Sequence, residues 1–358
     1  MSRLPPVRDD LALVEGYHSA QVDVDVRLNT NESPFPPPEA WRQAYLEELA
    51  AVPFHRYPDR RARDLRAALA AAHRVDPAQV LAAKGSNEVL QALCLAYGGP
   101  GRTAAVFEPT YALHSHIARV CGTTVRVGER AADFALDLAE VRRVLAEASP
   151  AITFLCTPNN PTGLVDPREV VEAVLELAPG LVVVDEAYAQ FAPWSALTLL
   201  EEDRDLPLAV TRTYSKTWAM AGLRLGYLVA PAEVVEACDS VLLPYHLDAA
   251  SQIAGRVALR YQADMEARVA TIVSERERLY AALAGLPVDT WPSGANFLLF
   301  RPRAASAEAT QVWKGLVERS VLVRDCSSWP RLAGCLRVTV GTPSENDAFL
   351  AALREVLA

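Results

Sequence analysis

"PLAVTRTYSKTWAMAGLRLGY" occupies residues 207 to 227. Its opening is an unbroken apolar run, the pattern of a β-strand covered on both faces, and the residues after such a strand are where an open parallel sheet gathers ligands. The lysine that follows, Lys216, is one of only three in the chain, with Lys84 and Lys314, against 35 basic residues in total. Arginine is thus the default cation, and position 216 departs from it. Arginine is permanently charged, whereas a lysine amine loses its proton when desolvated or crowded by other cations and becomes a nucleophile. Lys216 reads as a chemical residue.

Working outward, similar runs stand at "TAAVF" (103 to 107), "AITFLC" (151 to 156) and "LVVVD" (181 to 185), separated by helical patterns such as "REVVEAVLELA". Apolar runs alternating with amphipathic helices predict an α/β fold with a large, mostly parallel sheet covered by helices. At 358 residues the chain is long enough for two associated domains. A proline-rich arm at 1–40 is assigned to the smaller domain, 41–248 to the large one, and 249–358 to a linker helix and a small C-terminal domain. The arm's "NESPFPPPEA" opens a helix expected over about 38 to 50. A long helix is expected from about Ala249 to Leu286. "ANFLLF", "SVLVRD" and "CLRVTVG" then alternate with helical stretches, the mark of an α+β unit that closes with a helix from about Ser344.

A formal charge of -9 excludes nucleic acid and anionic membrane as main partners. The first residues lack the apolar core of a signal peptide, and no apolar run of about 18 residues would span a bilayer, so a cytoplasmic protein is expected. Cys94, Cys121, Cys156, Cys238, Cys326 and Cys335 show no C-x-x-C spacing. They read as reduced, small core residues, with no metal site.

Three strand ends carry unusual chemistry. "LVVV" runs into Asp185 and "EAY"; "AITFLC" runs into "TPNNPTG"; "PLAVTRT" runs into "YSK". A lone strand-end aspartate is ordinarily a helix cap, but three such edges in one sheet point to a site. "KGSNEVLQALCLAYGG" adds Gly85, Ser86 and Asn87 before a helix, where open N–H groups favour an anion. Arg224, eight residues beyond Lys216, supplies a bidentate grip on phosphate. Pyridoxal 5'-phosphate would use all these parts together. Lys216 would form the Schiff base with its aldehyde, and Asp185 would keep its ring nitrogen protonated. Tyr188 and one asparagine of the 159–160 pair would reach its phenolic oxygen, and Tyr111 would stack on the ring.

"LNTNESPFPPP", "RYPD", "GSNE", "TPNNPTG", "VDEAYAQF", "SKTWAMAGLRLGY" and "LRVTVGTPSEN" occur in the order found in fold-type I pyridoxal-phosphate aminotransferases. Across nearly the whole chain the set most resembles the histidinol-phosphate aminotransferase family. The resemblance implies Lys216 as the Schiff-base lysine, Asp185 at the ring nitrogen and Tyr188 with Asn160 at the ring oxygen. Asn160 is preferred to Asn159 because it directly precedes Pro161, and that bond is expected to be cis. Ser86, Asn87, Ser215 and Arg224 match phosphate-binding positions. Tyr57 matches a tyrosine that reaches the cofactor phosphate of a neighbouring subunit, which implies a homodimer with shared active sites. For substrate, Arg337 matches a carboxylate-binding arginine, Arg324 a position associated with the substrate phosphate, and Tyr17 and Asn31 further substrate contacts.

The activity so implied moves the amino group of a phosphorylated amino alcohol, L-histidinol phosphate, to 2-oxoglutarate. The alternatives are an aromatic amino-acid aminotransferase and a decarboxylase of a phosphorylated amino acid using the same cofactor. A transcription regulator built on this domain would need a DNA-binding module, for which the short arm and negative charge leave no place. Three features depart from the pattern and bear on substrate shape. "EGYHSA" around Tyr17 lacks the proline and glycine that commonly flank this tyrosine. "CSSWPRLAGC" between Arg324 and Arg337 is idiosyncratic, and Trp218 stands where a smaller or phenyl side chain often follows the lysine.

Overall fold

The computed structural model describes residues 21–303 and 308–358. The arm ends in a short strand, β1 (Val26–Leu28). A seven-stranded sheet follows from β2 (Val80–Ala83), β3 (Thr103–Glu108), β4 (Thr124–Glu129), β5 (Ile152–Cys156), β6 (Leu181–Asp185), β7 (Leu208–Thr213) and β8 (Gly226–Val229), in the order β2-β8-β7-β6-β5-β3-β4. Strands β4, β3, β5, β6 and β7 are parallel, and β8 runs antiparallel to both neighbours. Every residue of β5, β6 and β7 is buried, as expected of strands sandwiched between helix layers. The pleat divides them between two cores. Val182 and Val184 face one with Trp41, Leu65 and Tyr227; Leu181 and Val183 face the other with Leu90, Leu93 and Phe154.

The tail contributes β9 (Val288–Thr290), β10 (Phe297–Pro302), β11 (Val321–Asp325) and β12 (Leu336–Thr339). These join β1 in a five-stranded sheet ordered β1-β11-β12-β10-β9, in which the β1 and β11 pair is the parallel one. A third core, with Phe297, Phe300, Phe349 and Leu353, lies beneath it. The closing helix Pro343–Leu357 starts on a capping box: Thr342 accepts from the Glu345 amide, Glu345 accepts from the Thr342 amide, and Pro343 needs no partner for its nitrogen.

The long helix expected from Ala249 to Leu286 is instead two helices, Ala249–Ala258 and Gln262–Ala284, joined by a tight turn at Leu259–Tyr261. The break has a packing cause. Ala254 and Val257 of the first helix pack under the large sheet, whereas Ile272, Leu279 and Leu283 of the second pack under the small one. The turn redirects the chain from one core to the other, and the Tyr261 hydroxyl fixes it by donating to the Ala40 carbonyl at 3.0 Å.

Five cysteines are buried, Cys121 is partly so, and none is in a disulfide. Trp218 is also a core residue, stacked on Tyr214 with centroids 5.4 Å apart. Its bulk packs into the core against the large sheet and not into the cavity between the sheets. Among the described residues no helix is long and apolar enough to cross a membrane, and no cluster of metal-ligating side chains occurs.

Candidate active site

Register places the chemistry. Cys156 pairs with Asp185, and Asp185 with Thr211, so the "TPNNPTG" loop, the Asp185 carboxylate and the "TYSK" loop leave the sheet at one level. They open into a cavity of about 1280 Å³ between the two sheets. Ser86, Asn87, Tyr111, Asn160, Asp185, Tyr188, Ser215, Lys216 and Arg224 line it from the large sheet, with Asn31 from the arm and Arg324 and Arg337 from the small sheet. Tyr57 does not. It is 79% exposed and stacks on Tyr245 at 4.4 Å, outside its own chain's cavity. Tyr17 lies outside the described residues.

Lys216 donates from Nζ to the Thr30 carbonyl at 3.1 Å and lies 5.8 Å from the centre of the Tyr188 ring. Desolvation first, then the nearby Arg337 and Arg224, lower its pKa to about 7 against the opposing charge of Glu32. An amine so tuned is a usable nucleophile and base near neutral pH. Asp185, buried, accepts from the Ala187 amide at 3.1 Å and from His114 Nε2 at 3.0 Å. The bond fixes the Nε2–H form of His114, whose ring stacks on Phe154 and meets Tyr111 edge-on. Sequence reading missed His114, although it stands three residues after Tyr111 and therefore on the same helix face.

The Tyr188 hydroxyl accepts from Asn31 Nδ2 at 3.0 Å, and burial raises its pKa well above the ordinary value. Asn160 Oδ1 accepts from Arg337 Nη1, and the Asn160–Pro161 bond is cis as expected. Arg337 also donates from Nη2 to the Asn29 carbonyl at 3.1 Å and lies over the Phe297 ring.

At the cavity's other end, helix Ser86–Tyr97 begins at Gly85, whose φ of +85° is a left-handed-side conformation that glycine adopts at little cost. No side chain caps this helix, which leaves its first amides for a ligand. Arg224 donates to Ser215 Oγ at 3.4 Å, and a Cβ on Gly85 would meet its Nη2 at 2.9 Å. Gly226 is required for the same closeness: a Cβ there would lie 2.3 Å from the Ser86 nitrogen. Open amides, two hydroxyls and a guanidinium make an anion cup, while Asp185 offers a carboxylate to a protonated ring nitrogen. The residues present fit pyridoxal phosphate end to end.

The fold and this donor set are those of a class of aminotransferases. Residues 23–353 match the family model for aminotransferase class I and II, and the chain belongs to that family. Within it, the chain is 46% identical over 363 residues to a histidinol-phosphate aminotransferase of Streptomyces avermitilis, covering 98% of this chain and 96% of that one. A histidinol-phosphate aminotransferase of Corynebacterium diphtheriae is 43% identical with the same coverage. The chain is a member of the histidinol-phosphate aminotransferase family. Among solved structures, the enzyme of that name from Sinorhizobium meliloti, in complex with pyridoxal-5'-phosphate, superposes with a TM-score of 0.86 at 25% identity, covering 93% of this chain and 91% of that one. Aspartate aminotransferase from Thermus thermophilus with maleate gives 0.81 at 26%, covering 93% and 92%.

Proposed function

We propose that this enzyme transfers the amino group of L-histidinol phosphate to 2-oxoglutarate, using pyridoxal 5'-phosphate, as a step of histidine biosynthesis. The observation that carries this reading is the placement of Arg324 directly opposite Arg337 across β11 and β12, in the same cavity as Lys216 and Asp185. One substrate brings a phosphate and the other two carboxylates, and paired arginines suit both. We divide the chain accordingly into an arm (1–40), a cofactor domain (41–248) and a linker helix with a substrate domain (249–358).

The cofactor, when bound, supplies an aldehyde that takes up amino groups and a cationic ring that accepts an electron pair. Asp185, its carboxylate fixed by His114, would hold the ring nitrogen protonated. Tyr188 and Asn160 would donate to the ring oxygen, Tyr111 would pack against the ring, and Ser86, Asn87, Ser215 and Arg224 would hold the phosphate. Lys216 Nζ, its pKa lowered to about 7 so that the neutral amine predominates above that pH, takes the proton from the substrate carbon that bears nitrogen. Arg337 orients an α-carboxylate, and Arg324 takes the more distant anion. Tyr57, exposed on its own chain, completes the phosphate cup of a second copy in a homodimer.

Initial rates with one oxo-acid acceptor test the reading. Histidinol phosphate should exceed phenylalanine and tyrosine by at least about tenfold in kcat/KM. Higher turnover with phenylalanine would make this an aromatic amino-acid aminotransferase, and carbon dioxide release without an oxo acid would make it a decarboxylase.

A further inference from the structure

The segment between Arg324 and Arg337, which departs from the family pattern, carries a tryptophan whose place the reaction as derived above does not explain. Two cations directly opposite on one sheet repel each other, and burial makes the repulsion worse. Both side chains are buried here, Arg324 at 8% exposure and Arg337 at 4%. Among the described residues Arg337 pairs with no carboxylate, because its bonds go to the neutral oxygens of Asn160 and Asn29. Among the described residues the ring of Trp329 lies within cation–π reach of both cations. The Arg324 guanidinium lies 5.3 Å from its centre and that of Arg337 lies 6.0 Å away. An indole face attracts cations without neutralising them, so it steadies two guanidiniums while leaving their charge for a ligand.

The loop is built to hold that ring still. Cys326 and Cys335 close it through a backbone bond of 3.1 Å; the Trp329 amide donates to the Cys326 carbonyl at 2.9 Å, and the Leu332 amide to the Trp329 carbonyl at 3.1 Å. Ser327 is tied to Asp325 through its amide at 2.8 Å and also through its hydroxyl. Behind the ring, Phe134, Leu299 and Leu332 form a small separate core, and the Trp329 side chain also faces the cavity.

We propose that Trp329 is a positioning residue for substrate anions: its indole face presets Arg324 and Arg337 as an adjacent pair, so that phosphate and carboxylate find one ready-made receptor. The inference rests on the anion-binding role given above to the two arginines. It predicts that one substitution weakens both kinds of anion, although Trp329 itself carries no charge, and Trp329→Phe, which removes the indole N–H donor but keeps the ring face, separates the two contributions.

The test measures binding to the cofactor-loaded enzyme by calorimetry, with glutarate as an unreactive dicarboxylate and inorganic phosphate as the second probe. Trp329→Leu should weaken both by about five- to tenfold, the loss expected of a half-buried ring within cation–π reach of two guanidiniums. Trp329→Phe, which keeps an aromatic face, should stay within about threefold of the parent, and KM for the oxo acid should rise in the leucine variant with kcat little changed. Trp329→Met supplies the same comparison if the leucine variant does not fold. Unchanged affinities in Trp329→Leu, alongside a clear loss in Arg337→Ala, would overturn the role of Trp329 alone. Unchanged affinities in both would overturn it together with the arginine reading. A lowered melting temperature with intact anion binding would also overturn it, because Trp329 would then serve only its small core.

Discussion

The proton on Lys216 can be read directly. With a pKa of about 7 the amine is about three-quarters neutral at pH 7.5, whereas a lysine at the ordinary 10.5 would be neutral in roughly one molecule per thousand. Reaction of the cofactor-free chain with a small amine-selective acylating reagent, followed by peptide mass spectrometry between pH 6 and 10, should give Lys216 a labelling midpoint near 7. Lys84 and Lys314, the other two lysines of the sequence, provide internal references on separate peptides. Arg337→Gln removes the largest coulombic cause of the depression and should move the midpoint upward; desolvation, the first cause, remains and should keep it below 10.5. The same shift has a stability consequence whose sign follows from proton counting. Between pH 7 and 10.5 the unfolded chain holds a proton on this lysine that the folded chain has released, so folding stability from this group rises with pH across that window. The gain is at most about 5 kcal/mol. A midpoint near 10 in the parent, or no movement in Arg337→Gln, would refute the reasoning.

Other substitutions probe the rest of the site. Asp185→Asn should retain cofactor but lose about a hundredfold or more in kcat, because a neutral amide does not stabilise a protonated ring nitrogen; near-normal turnover would contradict that role. Arg324→Ala should cost histidinol phosphate about 10- to 100-fold in kcat/KM and an unphosphorylated amine much less, and equal losses would remove the phosphate assignment. Gly226→Ala would push a methyl group into the Ser86 nitrogen and the Gly85 carbonyl carbon, at 2.3 and 2.5 Å, and should weaken cofactor affinity at least about tenfold in an absorbance titration. Unchanged affinity would mean that the phosphate cup does not depend on this approach of β8.

Strands β3, β5, β6 and β7 were legible because each contains a run of mostly apolar residues buried on both faces, although β7 ends in the buried polar residues Thr211, Arg212 and Thr213. β2, four residues ending in two alanines, and β8, hidden behind the lysine motif, have no such signature; they acquire their identity by pairing with each other and, for β8, with β7. β4 is a mostly exposed edge strand, so its composition carries little burial signal. The break at Leu259–Tyr261 contains neither proline nor glycine and follows only from which core each half contacts. In the cavity, the residues bearing charge or following a strand could be read locally. His114 and Trp329 could not, since what each touches is set by tertiary contacts: a carboxylate 71 positions away for the first, and a guanidinium pair spanning a loop for the second.

Residues 29 to 31 lie along the seam between the sheets. The Asn29 carbonyl takes a bond from Arg337, the Thr30 carbonyl takes one from Lys216, and the Asn31 side-chain Nδ2 gives one to the Tyr188 hydroxyl, while β1 just before them is zipped onto β11. Three consecutive residues of an unprepossessing leader thus clasp the reactive amine, a phenol and the substrate-side guanidinium at once. Trimming the chain back past this point would leave both sheets with nearly all their sequence and deprive the chemistry of its clasp, so a tag or fusion at this end belongs well ahead of Val26.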